Sequence, residues 1–230
     1  MSMQFKEFSV RPPKESDIPA IVDLLNASSL EIAGTLEASI EDYTNTWHSP
    51  GYDAAQDSRI AITAEGQIVA AAHVFARPPY VTNFLWTVVH PAYRGRGLGT
   101  HLTEWGEERV REHIPDAPPD ARVTVRSGAL STFQPTAEVL RNLGYQQVRS
   151  FYTMVIEMEA PPLEPVWPSG ITVQSMVPGQ ERAVYRADYE AFKDHWGYVE
   201  APFEEGFQRW HYFVTNHADY DPSFFFLAMD

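Results

Sequence analysis

The most informative part of the chain is Val88-Val89-His90-Pro91-Ala92-Tyr93-Arg94-Gly95-Arg96-Gly97-Leu98-Gly99-Thr100, which joins an apolar strand pattern to a helical pattern. Its glycines let the backbone approach an anion closely, because glycine has no Cβ atom. The helix that follows presents unpaired N–H groups and the positive end of its dipole at the same place. A strand, a glycine bend and a helix N-terminus in this order predict a site for a phosphate or pyrophosphate group.

Two common phosphate-binding motifs do not match this bend. A Walker loop requires Gly, four residues and then Gly-Lys-Ser/Thr, which the stretch lacks. The dinucleotide-binding fingerprint requires a third glycine where Thr100 stands, within an early βαβ unit. The bend instead lies in mid-chain, after a run of strands that read as antiparallel.

The region before the bend alternates between strand and helix patterns. The patterns predict a strand at 8–11, a helix capped by Ser16, a second helix at 36–47, and strands at 59–64, 67–76 and 80–89. Glu65-Gly66 predicts a hairpin turn between the first two of these longer strands. Strand 80–89 is almost continuously apolar, which predicts that both of its faces are covered.

The region after the bend predicts a helix from Leu98, a strand at 122–126 and a helix at 136–143 that ends at Gly144. Residues 145–159 predict one or two closing strands. The fold class expected from this order is α/β, with a mixed, mostly antiparallel sheet flanked by helices.

Residues 160–168, Ala-Pro-Pro-Leu-Glu-Pro-Val-Trp-Pro, carry enough proline to predict an extended, stiff linker. This divides the chain into a first domain at 1–159, a linker at 160–169 and a second part at 170–230.

The second part repeats the order of the beginning: a strand, two helices and a strand. Aligning Val10 with Val173 gives an offset of 173 − 10 = 163, and aligning Ile60 with Phe225 gives 225 − 60 = 165. The near-equal offsets predict an internal duplication. The second copy reaches Asp230 before any second glycine bend, so we expect it to lack a phosphate site.

The bend resembles the hallmark of the Gcn5-related N-acetyltransferase family, Gln/Arg-x-x-Gly-x-Gly/Ala, which Arg94-Gly95-Arg96-Gly97-Leu98-Gly99 matches. The lead-in Val89-His90-Pro91-Ala92-Tyr93 and the order of elements from residue 8 to about residue 159 are also similar to the family. The two-part arrangement is similar to that of tandem, mycothiol synthase-like acetyltransferases, and Asp194-His195-Trp196-Gly197 fits that similarity more weakly.

The resemblance implies that acetyl-coenzyme A is the co-substrate and lies where strand 80–89 splays from strand 122–126. Backbone groups of Val88 and Val89 would pair with the pantetheine amides, and N–H groups of the bend would hold the pyrophosphate. The expected cofactor-binding residues are Val88, Val89, Arg94, Gly95, Arg96, Gly97, Leu98, Gly99 and Thr100.

The resemblance also implies an N-acetyltransferase, in which a primary amine of a small molecule or peptide attacks the thioester directly in a ternary complex. Two groups usual in the family are missing: Leu140 occupies the position of a Tyr that protonates the leaving thiolate, and Asn83 or Phe84 stands where a Glu base is common. The catalytic candidates are therefore His73, Tyr80 and Asn83, with Tyr93, Tyr152 or a water relay as further substitutes. An imidazole such as that of His73 titrates in the useful range.

The composition excludes several classes of partner. The chain has 17 Lys+Arg against 31 Asp+Glu, a net charge of −14, which disfavours binding to nucleic acid or to an anionic membrane. Cys is absent, and the eight His show no metal-ligand spacing, so we expect neither a metal site nor a disulfide. Without a secretion signal or an apolar span, a cytoplasmic protein is expected.

The acceptor is left open by the sequence, although the negative charge favours a cationic or neutral amine. We expect residues 30–47 to line the acceptor side, and a homodimer is compatible with the sequence. Two alternatives also stay open at this point. The protein could be a non-catalytic acyl-coenzyme A-binding protein, or a fragment of a longer tandem acetyltransferase whose catalytic copy lies beyond Asp230.

Overall fold

The computed structural model describes residues 7–217 and 219–229. Its helices and strands are β1 (Phe8–Arg11), α1 (Ile18–Ala33), α2 (Ile40–Trp47), α3 (Ala54–Asp57), β2 (Ser58–Thr63), β3 (Ile68–Phe75), β4 (Thr82–Val89), α4 (Leu98–Arg111), β5 (Thr124–Arg126), α5 (Gln134–Asn142), β6 (Thr172–Ser175), α6 (Glu181–Ala191), α7 (Phe203–Thr215) and β7 (Phe226–Met229).

The first five strands form one sheet in the order β1-β2-β3-β4-β5. Each neighbouring pair is antiparallel except β4 and β5, which run parallel. The expected mixed, mostly antiparallel sheet is therefore confirmed. Because β4 and β5 are parallel, the chain between them must cross over, and α4 makes that crossing.

Helices cover the two faces of this sheet. On one face, buried β-strand residues including Ile60, Ala71 and Val88 pack with Ile21 and Leu24 of α1. On the opposite face, the core consists of Ala61, Val69, Ala70, Ala72, Val74, Leu85, Leu98, Leu102 and Val110. Side chains of a strand alternate between faces, so this central sheet buries apolar residues on both sides.

The face of β4 toward α1 is only partly covered, contrary to the expectation for a continuously apolar strand. Phe84 is 51% exposed and Trp86 is 39% exposed, whereas Val88 is buried. Helix α1 packs beside Val88 at the end of β4 and leaves the two aromatic rings open. Apolar character alone therefore did not establish burial at this strand.

Two predicted element boundaries were wrong for local reasons. Ser16 does not cap α1; instead, the Asp17 carboxylate accepts bonds from Arg11 (2.7 and 3.0 Å) and from the Lys14 backbone (2.7 Å). The second helix begins at Ile40 rather than at residue 36, because Ser39 caps it by accepting a bond from the Asp42 N–H at 3.0 Å.

The closing strands predicted at 145–159 do not form. This segment has no regular secondary structure, and Phe151, Met154 and Ile156 are each more than three-quarters exposed, at 78%, 88% and 77%. A strand requires a partner for its backbone groups. The neighbouring edge strand β5 is only three residues long, so it offers few such groups.

The second part contains β6 and β7, which pair antiparallel, with α6 and α7 between them in the chain. This order matches that of β1, α1, α2 and β2. Met176 and Gly206 are its only buried residues within the described chain, so it has little core of its own. The internal duplication and the domain limits stay predictions.

Candidate functional site

A cavity of about 650 Å³ opens where β4 and β5 diverge. The two strands pair from Thr82 with Thr124 to Phe84 with Arg126, after which β4 continues without this partner. The walls come from the second half of β4, the glycine bend, the start of α4, residues 127–130 and α5. The gap arises because β5 is only three residues long and ends while β4 continues.

The glycine bend forms one end of the cavity. Gly95 and Gly97 have φ values of +74° and +82°, in the left-handed region that a side chain disfavours. Within the described chain, no hydrogen bond is found from the backbone N–H groups of residues 95–100, while the Gly97 carbonyl accepts the bond from the His101 N–H at 3.0 Å. A row of N–H donors at a helix N-terminus is suited to an anion.

The structure places most of the predicted cofactor-binding residues on this one cavity. Its lining includes Val88, Val89, Arg94, Gly95, Gly97, Leu98, Gly99 and Thr100, and it does not include Arg96. Val88 and Val89 pair with β3 on one side, and no strand of the described chain pairs with them on the other. An extended ligand could therefore lie along that side of β4.

The two arginines of the bend are engaged by the protein itself. The Arg94 guanidinium donates to Glu31 Oε1 (2.8 Å) and to Ser28 Oγ (3.1 Å), and it lies 4.5 Å from the Phe133 ring centre. Arg96 lies over the Tyr93 ring at 5.0 Å. Arg94 thus links the bend to α1. Its side chain therefore holds the backbone of the bend in place.

His73 lies in a buried polar cluster behind the cavity. Its Nδ1 is 2.7 Å from both Tyr52 Oη and Ser58 Oγ, and its Nε2 is 3.0 Å from Tyr43 Oη. Burial lowers the pKa of His73 to about 4 and raises the pKa of each of the two tyrosines. The imidazole is neutral at pH 7, and its ring centre is 5.4 Å from that of Trp86, which lines the cavity.

Tyr80 and Asn83 do not line the cavity. The Tyr80 ring stacks on His113 with centres 4.5 Å apart. Asn83 is fully buried, and its amide donates to the carbonyls of Tyr80 (2.9 Å) and Thr124 (3.3 Å), which ties β4 to the start of β5. The structure therefore does not bring the three catalytic candidates together, and their roles stay predictions.

The structure also places Tyr93 and Tyr152, the two further catalytic candidates, and Leu140, which stands at the family's tyrosine position. Tyr93 lines the cavity and donates its hydroxyl to Gln67 Oε1 at 3.0 Å, whereas Tyr152 is 81% exposed in the irregular segment. Leu140 lines the cavity from α5, so an aliphatic side chain stands where the family pattern has a hydroxyl.

The sequence analysis did not single out Glu37, the one carboxylate among the described residues that line the cavity, although Glu37 lies within the segment 30–47 expected on the acceptor side. It lies in the connection between α1 and α2. Asn26 holds this connection: its Oδ1 accepts bonds from the Glu37 N–H (3.1 Å) and the Ala38 N–H (3.0 Å). No spacing in the sequence indicated this position, because a loop brings Glu37 to the wall.

Within residues 7–217 and 219–229, no group of three or more His, Asp or Glu side chains is arranged to hold a metal ion. No helix in the same residues is both long and apolar enough to cross a bilayer.

Comparisons with known proteins agree with this geometry. A family model described as "Acetyltransferase (GNAT) family" matches residues 28–119. Mycothiol acetyltransferase from Salinispora tropica is 29% identical over 136 residues, which are 59% of this chain and 41% of that protein. The enzyme of the same name from Streptomyces scabiei is 31% identical over 113 residues, 47% of this chain and 32% of that protein. The matched segment thus spans less than half of these curated relatives.

Two solved structures extend the comparison to the fold. The crystal structure of an acetyltransferase of the GNAT family from Staphylococcus aureus Mu50 is similar in fold alone, with 14% identity and a TM-score of 0.50 over 62% of this chain and 86% of that one. The GCN5-related N-acetyltransferase from Sphaerobacter thermophilus is 33% identical, with a TM-score of 0.77, and covers 98% of this chain and 68% of that chain. Together with the glycine bend and the splayed strands, this match shows that the chain belongs to the GCN5-related N-acetyltransferase family, which uses acetyl-coenzyme A.

Proposed function

We propose that this protein transfers an acetyl group from acetyl-coenzyme A to a primary amine of a small molecule or peptide. The observation that carries the proposal is the row of unpaired backbone N–H groups at residues 95–100, at one end of the cavity. These donors fit a diphosphate, and the open side of β4 at Val88 and Val89 fits the amides of a pantetheine arm. The relatives named mycothiol acetyltransferase support a small-molecule acceptor.

The reaction is a direct displacement at the thioester. The amine nitrogen forms a bond to the acetyl carbon, the carbon–sulfur bond breaks, and the amine loses one proton while the thiolate gains one. A backbone N–H on the open side of β4 would stabilise the developing oxyanion. Because Leu140 cannot donate a proton, we propose that water protonates the thiolate.

We propose Glu37 as the group that takes the proton from the amine, directly or through one water molecule. Glu37 is exposed at the cavity wall, whereas His73 is buried and its pKa is lowered to about 4. A base must reach the proton that it removes. Asn26 fixes the loop that carries Glu37, so the carboxylate keeps its place beside the cavity.

A second candidate function is acyl-coenzyme A binding without catalysis. The observation that favours it is Leu140, which leaves the described cavity wall without a hydroxyl at the family position for thiolate protonation. The two functions share the cofactor site and differ only in turnover.

Calorimetry and thiol release test the proposal together. We expect acetyl-coenzyme A to bind with a Kd in the micromolar range, on the order of −8 kcal/mol, and a panel of primary amines to release free thiol.

Glu37→Gln should lower kcat at least about 100-fold with an unchanged Kd for the cofactor, since a general base contributes about that much. Glu41→Gln, on the outer side of α2, is the matched control and should retain activity. Binding without thiol release from any amine would favour the second candidate, and absence of binding would contradict both.

A further inference from the structure

The open face of β4 continues into a row of aromatic and cationic side chains beyond the cavity. Phe75, Phe84 and Arg126 are register partners on adjacent strands, so they lie side by side on one face of the sheet. Phe84 lies one two-residue step, about 7 Å, from Trp86 at the cavity wall. This row therefore begins next to the cavity wall at Trp86.

Two arginines close one end of this row. The Arg77 guanidinium lies 5.8 Å from the Phe75 ring centre and 5.9 Å from that of Phe213 on α7. Arg209 is on the same helix, one turn before Phe213. Its positive charge lowers the pKa of Arg77. Within the described residues, neither guanidinium has a hydrogen-bond or ion-pair partner.

These two arginines have no acidic partner among the described residues, whereas several other arginines have one. Arg94 pairs with Glu31 (2.8 Å), Arg109 with Asp57 (2.9 Å) and Arg182 with Glu204 (2.6 Å). Acidic residues outnumber basic ones in the chain, 31 to 17. A half-buried, unpaired pair of like charges is unfavourable for folding, because each cation loses hydration without gaining a counter-ion.

Burial and the neighbouring Arg209 both lower the pKa of Arg77, which agrees with a site that lacks a negative charge. Phe213 comes from the second part of the chain and Phe75 from the first, and Asn45 Nδ2 donates to the Asn216 carbonyl at 2.7 Å across the same junction. The arginines are thus held in place by packing between the two parts.

We propose that Arg77 and Arg209 bind an anionic group, a carboxylate or a phosphate, on the amine acceptor, while Phe84 and Trp86 contact its apolar portion. This inference rests on the proposed function, because it names the class of acceptor for the same site. It also narrows the expectation from net charge. The long-range field of the chain favours cations, but at contact distance the two unpaired guanidinium groups determine which group binds.

The test is a calorimetric titration of the full chain with phenylacetate, and with phenylacetamide as its uncharged counterpart. Phenylacetate should bind at least tenfold more tightly than the amide. A titration with phenyl phosphate, compared with that of phenylacetate, shows whether the site prefers a phosphate or a carboxylate. Arg77→Gln and Arg209→Gln should each weaken phenylacetate binding at least tenfold, and Arg77→Lys should weaken it less. Arg186→Gln is the matched control: it removes an arginine that lies 4.6 Å from the Phe203 ring and should leave binding unchanged.

The stability of the variants separates a binding role from a structural one. Because Arg77 is an unpaired cation, Arg77→Gln should keep or raise the Tm while phenylacetate binding falls. Equal binding of phenylacetate and phenylacetamide, or equal effects of Arg77→Gln and Arg186→Gln, would overturn the inference. Neither titration requires coenzyme A or turnover, so a failure of the proposed function would appear separately, in the cofactor calorimetry.

Discussion

Gly97 shows at the scale of one residue how the site depends on backbone conformation. Its φ of +82° turns the chain directly before α4, where Gly97, Leu98 and Gly99 line the cavity. A side chain in the left-handed region costs roughly 1–2 kcal/mol. The bend therefore requires glycine for its shape, and the shape determines where the donors point.

We expect Gly97→Ala to weaken acetyl-coenzyme A binding about tenfold or more, which corresponds to about 1.4 kcal/mol or more. Gly66→Ala is the control, because Gly66 has a φ of +90° in the hairpin turn and does not line the cavity. Both variants should lose similar stability in urea unfolding, while only Gly97→Ala should change the calorimetric Kd. Equal Kd values for the two variants would contradict the role of the bend.

His73 predicts a pH dependence of stability. Its pKa is about 4 in the folded protein, against about 6.5 in an unfolded chain, so between these values the unfolded state binds more protons. The free energy of unfolding should therefore rise with pH across this window, by about 3 kcal/mol from this residue. Urea unfolding at pH 4.5, 5.5 and 7 measures the slope, which should be shallower in His73→Gln. An identical slope in the variant would show that the imidazole is not held neutral.

Among single residues, most of those predicted to bind the cofactor line the cavity, whereas His73, Tyr80 and Asn83 are not part of its lining. The bend residues are contiguous, so their spacing alone carried the prediction. Glu37, Tyr43 and Tyr52 belong to helices and loops far from the bend in sequence, and only folding brings them near the cavity or His73. Arg94 was predicted correctly as a residue of the bend, but its side chain binds Glu31 and Ser28.

At the scale of elements, the packing of α4 against β4 positions the helix N-terminus over the cavity. A Cβ atom added at Gly106 would overlap the fully buried side chain of Leu85, so glycine permits the close approach of helix and strand. The sequence predicted both elements and their order, but it gave no indication of their separation.

We expect Gly106→Ala to lower the free energy of unfolding by about 1–3 kcal/mol, because the extra methyl group overpacks this contact. In a Leu85→Ala background, the same change should cost less, since the methyl group then fills space that the leucine has left. Urea unfolding of the two single variants and the double variant measures this coupling. Additive effects on the free energy of unfolding would contradict a steric contact between residues 85 and 106.

At the scale of the whole molecule, an exposed segment follows Tyr145. The part of the chain before it contains many buried residues, and the part after it contains few. The residues of the segment, from 146 to 170, are exposed throughout and contain no helix or strand. Such segments are preferred sites of proteolysis. We expect limiting chymotrypsin to cleave first after Phe151 or Tyr152, and intact-mass measurement to identify the two products. Earlier cleavage within β3 or α4 would contradict this division.

The sequence by itself determined the order of the elements, the glycine bend and the family, because each of these depends on residues that are adjacent in the chain. Tertiary structure decided which face of β4 stays open, that residues 145–159 form no strand, that Glu37 lines the cavity, and that Arg77 lies between Phe75 and Phe213. These features depend on which distant segments meet. Hydrogen-bond partners, burial and unpaired charges arise only when separate parts of the chain come into contact, so no local pattern could specify them.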